Sequence, residues 1–148
     1  MKPVDLKDII YFTDCNAYTD CNSAGRYYFS KADNEIYDSE KISAELSISE
    51  TEFKDNCWHY GYIPLPKLNL SAVIDEFIES LNNKKVSEYF KNFDREDTAK
   101  FWDEFDKAFP AGFERRLWDE FYDRYIHEKV VSWCKEYGVR YTNTVTGI

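Results

Sequence analysis

Glycine is scarce in this chain, five in 148 residues, and proline is scarcer still at four. That leaves little material for loops that cradle phosphate. No phosphate loop, dinucleotide fingerprint or nucleophile elbow is present. Histidine occurs twice, as His59 and His127. No Cys-x-x-Cys and no His-Glu-x-x-His appears, so the common zinc signatures are missing. The Glu-x-x-His pairs of carboxylate-bridged di-iron bundles are missing too. No apolar run is long enough to span a bilayer, so no membrane association is expected. The opening "MKPVDLKDII" carries acids and lacks an apolar core, so a signal peptide is not expected. The expected location is the cytoplasm. There, Cys15, Cys21, Cys57 and Cys134, irregularly spaced, are expected to be free thiols.

What is present is aromatic and acidic. Aromatics make up 18% of the chain, too many for a disordered segment despite 32% charged residues. The net charge is −9, which phosphate backbones repel, so nucleic acid is not an expected partner. Residues 1–66 hold 12 acids and 6 bases; residues 67–148 hold 16 and 13. A basic protein would be attracted and steered. Solubility alone is the plainer explanation of such a charge.

The apolar spacing predicts a short helix over 4–13, with Asp5 as its cap behind Pro3. "RYYFS", "KADN" and "EIYDS" read as a hairpin. Ser39 or Ser43 suits the cap of a following helix, and Ser49 with Glu52 has capping-box spacing. "CWHYGYIPLP" reads as extended, because Pro64 and Pro66 forbid helix and bias their predecessors. Beyond Pro66 the pattern is helical. Leu70, Val73, Ile74, Phe77, Ile78 and Leu81 share one face, with Asn69 or Ser71 as cap and Asn82-Asn83 as the end. Val86, Tyr89, Phe90 and Phe93 suggest a second helix, 96–109 a third and 113–137 a fourth of ~37 Å. Pro110-Ala111-Gly112 separates the last two, and Gly138 ends the fourth. "VRYTNTV" is a last extended piece or a frayed tail.

The expected fold is therefore α+β and mainly helical. It has a small antiparallel hairpin or sheet in the N-terminal half and a packed helical C-terminal half. Residues 1–148 are expected as a single domain, 1–66 being helix plus small sheet and 67–148 the helical half, because so short a front would struggle to fold alone.

"FWDEFDKAF" at 101–109 and "LWDEFYDRY" at 117–125 share Trp-Asp-Glu-Phe after a shift of sixteen residues. On helices, Trp102, Phe105 and Phe109 share a face. Trp118, Phe121, Tyr122, Tyr125, Ile126, Val130, Trp133, Cys134 and Tyr137 share another. Buried rings contribute ~1.5–3 kcal/mol each, so these stripes read as packing, with the two helices antiparallel. The acids then face outward beside bases, in pairs Arg115–Asp119, Arg116–Glu120, Glu120–Arg124 and Arg124–Glu128. Two copies do not make a solenoid.

Three constellations carry candidate chemistry. Asp119, Asp123 and His127 at i, i+4 and i+8 are weak metal candidates; a surface histidine charge steadied by Asp123 is the plainer reading. Asp55, Cys57 and His59 alternate. On an extended segment they point one way, and a thiol beside an imidazole is a candidate nucleophile. Against that, Cys57 before Trp58 also reads as a small core residue. Adjacent carboxylates such as Asp103/Glu104 and Asp119/Glu120 are too common on helices to argue glycoside hydrolysis. No cofactor is expected.

The order of the pieces resembles an existing group. "VDLKDII", the aromatic "YYF" hairpin, "YIPLP", "IDEFIESL", "FWDEFDKAF" and "LWDEFYDRYIHEKVVSWCKEYGV" are similar to the uncharacterised protein family numbered 0158, small bacterial proteins. The resemblance is best from Tyr62 to Val139 and rests on packing motifs. It implies a cytosolic bacterial fold of helices with a small sheet, and brings no catalytic residue with it.

The leading expectation is a non-enzymatic, acidic protein-binding or regulatory module that neutralises a basic partner. Its candidate surface is Asp33, Glu35, Asp38, Glu40, Glu45, Glu50, Glu52 and Asp55. The competing expectation is a small hydrolase-like enzyme using Cys57 and His59, with Tyr60 or Tyr62, in a cleft between the two halves. A homodimer through leftover aromatic surface is a third.

Overall fold

A computed structural model describes residues 2–17, 26–91, 98–108 and 113–143. The loop expected around Cys21, the position of Phe93, and the Phe109–Gly112 turn lie outside the described residues. So do the side chains of Trp102 and Arg115.

The fold is mainly helical α+β. Strand β1 (Val4–Asp5) leads into helix α1 (Leu6–Ala17), then strands β2 (Tyr27–Ser30) and β3 (Ile36–Asp38). Helices α2 (Ser39–Leu46) and α3 (Glu50–Asp55) follow, then a single 3-10 turn at Cys57–Tyr60 and strand β4 (Tyr62–Pro64). Helices α4 (Leu70–Ser80), α5 (Lys84–Tyr89), α6 (Thr98–Ala108) and α7 (Phe113–Tyr137) precede strand β5 (Tyr141–Thr142). The chain groups into two compact units, 1–68 with 126–148, and 69–125. The boundary falls inside α7, which supplies residues to both.

In the first unit, β3, β2 and β4 form a three-stranded antiparallel sheet with β2 in the middle. Side chains alternate across a strand, so neighbouring Tyr28 and Phe29 serve opposite faces. Tyr28 packs with Ile42 of α2, Phe53 of α3 and Cys57. Phe29 meets the Trp133 indole of α7 edge-on at 6.0 Å. The hairpin turns at Asn34, whose φ of 57° suits asparagine better than most residues. A second sheet pairs β1 with β5 in parallel. "VRYTNTV" is thus an extended piece at Tyr141–Thr142, held by residues almost the whole chain away.

The caps explain most boundaries. Asp5 accepts from the Lys7 N–H at 3.1 Å, in the capping place expected, but Val4–Asp5 form a strand rather than the start of a 4–13 helix, and α1 runs from Leu6 to Ala17. The cap of α2 is neither Ser39 nor Ser43. Asp38 takes that place, accepting from the Glu40 N–H at 2.8 Å, while Ser39 and Ser43 are buried within the helix. Aspartate there also holds Arg26, which a serine hydroxyl would not. Ser49 caps α3, as its spacing predicts. Asn69 caps α4 and Asn83 caps α5. Gly138, at φ +66°, ends α7, and the Val139 N–H reaches back to the Cys134 carbonyl at 2.9 Å. That is the Schellman arrangement, with Val139 buried as its apolar contact.

The extended reading of Cys57–Tyr60 is corrected. The proline argument reaches only Ile63 and Leu65, the residues directly before Pro64 and Pro66. Upstream, the Gly61 N–H closes on the Trp58 carbonyl at 3.2 Å and the chain coils as a 3-10 turn, with Gly61 at φ +83°.

In the second unit, Phe77 of α4 sits against Trp118 at 5.3 Å and Phe121 at 5.5 Å on α7. Phe90 sits against Phe101 at 4.7 Å and Phe105 at 5.6 Å on α6. Phe77, Phe90, Phe101 and Phe105 are fully buried, with Trp118 and Tyr122 nearly so. Tyr89 turns outward instead, its hydroxyl donating to Glu104 at 3.4 Å. Asp103, Asp106, Asp119 and Glu120 are exposed. The repeated Trp-Asp-Glu-Phe segments thus bury Phe101, Phe105, Trp118 and Tyr122, leave Phe121, Tyr125 and Glu104 half-buried, and show most of their acids. Among the described residues, the pairs Arg116–Glu120, Glu120–Arg124 and Arg124–Glu128 do not close as ion pairs. Long exposed side chains gain too little from such contacts to hold one geometry. No described helix is long and apolar enough to cross a membrane.

Candidate functional site

The expected acidic surface lies on β3, the turn before it, α2 and α3. The bases among them are engaged. Arg26 pairs with Asp38 at 2.6 Å, and Lys54 reaches Glu50 at 3.7 Å. The Lys41 ammonium lies over the Tyr37 ring at 5.7 Å. Burial pushes the Asp33 carboxyl up, but hydrogen bonds from the Tyr37 and Ser30 hydroxyls and the Glu35 N–H outweigh it and hold the group below its ordinary value. That bond, with the nearby carboxylates, pushes the Tyr37 phenol up to about 12. Glu35, Glu40, Glu45, Glu52 and Asp55 are exposed, and no ion-pair partner approaches them among the described residues. Leu46, at the end of α2, is exposed among them.

The 3-10 turn separates the second constellation. Cys57 faces inward at 4% exposure, against Tyr28, Ile42 and Phe53. Asp55 and His59 are exposed, and His59 packs edge-on to Tyr60 at 5.2 Å. Burial pushes the Cys57 thiol up, the direction opposite to an activated nucleophile. No hydrogen bond joins Cys57 to His59 among the described residues. Burial pushes Cys134 further, to about 11. Tyr60 and Tyr62 pack around Phe53, at 6.4 and 5.4 Å.

Asp119, Asp123 and His127 are exposed along α7. Among the described residues, no three histidine, cysteine or acidic side chains converge in a way that would hold a metal ion.

One feature of the first unit had no sequence counterpart. An open cleft of about 230 Å3 lies between the sheet and the residues that follow α7. Its floor is Phe29, Ile63 and Val139, all buried. Lys31, Asn34 and Arg140 line it, and Tyr137 forms one wall. Trp58 leans on Tyr137 at 5.4 Å, with the Lys31 ammonium over its ring at 5.5 Å. Tyr137, by helical spacing, and Trp58, as the neighbour of Cys57, both read as packing residues, yet both are exposed.

No protein-family model matches the chain, and neither a curated protein nor a solved structure does. The likeness to family 0158 therefore rests on the segments quoted above.

Proposed function

We propose that this protein is a non-enzymatic binding module that docks on a basic protein through the face formed by β3, α2 and α3. A single observation supports this reading. Five carboxylates on neighbouring elements stand exposed without ion-pair partners among the described residues, while Arg26, Lys54 and Lys41 are held by Asp38, Glu50 and Tyr37. Carboxylates left so raise the local field and speed encounter with a cationic surface. Exposed Leu46 supplies an apolar contact among them.

The test is capture from host lysate with the wild-type chain and with Glu40→Lys/Glu45→Lys/Glu52→Lys. The reading expects one basic protein, retained at low ionic strength and released as salt shortens the Debye length from ~10 Å toward ~3 Å. It also expects the charge-reversed chain to lose that protein. Retention that ignores both salt and charge reversal would remove the proposal.

A further inference from the structure

The cleft beside Tyr137 differs in chemistry from the rest of the molecule. The chain carries nine more acids than bases, yet the cleft is lined by two cations and no carboxylate. Lys31 and Arg140 have no ion-pair partner among the described residues. Main-chain bonds on both sides hold their backbones. The Lys31 N–H donates to the Gly61 carbonyl at 3.1 Å, and the Arg140 carbonyl accepts from the Val4 N–H at 3.3 Å. The Asn34 amide donates to the Lys2 carbonyl at 3.3 Å, tying the N-terminal segment to the cleft side of the hairpin.

The walls add a second chemistry. Two of the large apolar side chains left exposed, Trp58 at 49% and Tyr137 at 38%, stand together here. The volume of about 230 Å3 falls just below the ~300–1,000 Å3 of drug-sized sites, so the occupant is a small body.

We propose that this cleft binds a small organic carboxylate carried on a flat apolar body. The apolar body lies against Phe29, Ile63 and Tyr137. The carboxylate meets the guanidinium of Arg140, whose fork of donors matches its two oxygens, and the Lys31 ammonium. The cleft shares the turn before β3 with the acidic face, but the proposal does not depend on what that face binds.

Benzoate, benzamide and inorganic phosphate are the probes, titrated into the full-length 15N-labelled chain to millimolar concentrations. Benzoate is expected to move the amide resonances of Lys31, Asn34, Gly138 and Arg140 in a saturable way. Benzamide, which keeps the ring and loses the charge, and phosphate, which keeps charge and loses the ring, are each expected to bind at least about ten-fold more weakly. Arg140→Gln and Lys31→Gln, both at exposed positions, are each expected to weaken benzoate about ten-fold with unchanged melting temperatures. Benzamide or phosphate equal to benzoate would overturn the assignment. So would variants that bind benzoate as wild type does, or benzoate shifts absent from these four amides.

Discussion

The indole N–H of Trp133 donates to the carbonyl oxygen of Pro64 at 3.0 Å, across 69 positions of chain. Pro64 lies in an edge strand of the sheet, and its pairing partner is Tyr28. The same indole meets Phe29. One side chain thus fastens α7 both to the middle strand and to the edge strand. Trp133→Phe keeps most of the packing and removes the donor. It is expected to cost ~1–3 kcal/mol, the penalty for a partly buried carbonyl left unpaired. Trp133→Ala is expected to cost ~3–5 kcal/mol, because it also opens a cavity. Urea unfolding of both variants measures the difference, and a Trp133→Phe chain as stable as wild type would show that the hydrogen bond contributes nothing.

The aromatic and acidic halves of the repeated segments are expected to respond differently to mutation. Phe90→Ala removes the ring that Phe101 and Phe105 surround, and should cost ~3–5 kcal/mol. Asp103→Asn and Asp119→Asn change exposed groups and should stay within ~0.5 kcal/mol. Chemical denaturation of the three variants gives the comparison.

Thiol chemistry separates the cysteines by burial. Cys57 and Cys134 are buried and their thiols are pushed up, whereas Cys15 is only half-buried. Alkylation of the native protein near pH 8, followed by peptide mapping, should modify Cys15 well before either of them. Modification of Cys57 faster than in the unfolded chain would restore it as a nucleophile.

Alkaline titration reads the sheet and its turn. Burial pushes the Tyr28 phenol up to about 12, with the Cys57 and Glu50 charges adding to it, and the bond to Asp33 does the same for Tyr37. Both favour the protonated phenol in the folded state. Their stabilisation is therefore complete below the unfolded value of ~10 and is lost as pH rises toward about 12. Phenolate absorbance should show late-ionising tyrosines, and Tyr37→Phe should remove one of them. Asp33 acts in the opposite direction. Its depressed carboxyl stabilises the fold above the ordinary carboxylate range, and that contribution is lost as pH falls through the folded value.

Helix and hairpin were legible where the signal is local. The limits of α7 follow from an apolar stripe that persists to Tyr137 and a glycine able to adopt φ +66° immediately after it. Ser49 and Asn69 cap as their spacing predicts. Local rules failed where two of them competed. Asp38 displaced Ser39 as the cap of α2 because a carboxylate serves both the helix N-terminus and Arg26. At Cys57–Tyr60, a turn ending in glycine won over the extended bias of prolines farther along. The catalytic candidate there depended on that bias, so Asp55, Cys57 and His59 do not share a side.

Periodicity and composition already specified a helical, aromatic-rich chain whose acids stand outside its rings, since both depend on neighbours within one or two turns. Only the folded chain decided that Tyr141 pairs with Val4, that Trp133 spans the sheet, and that Lys31 and Arg140 line one cleft. Strand pairing and clefts join residues whose separation along the chain leaves no periodic trace, and three-dimensional closure alone sets which of them meet.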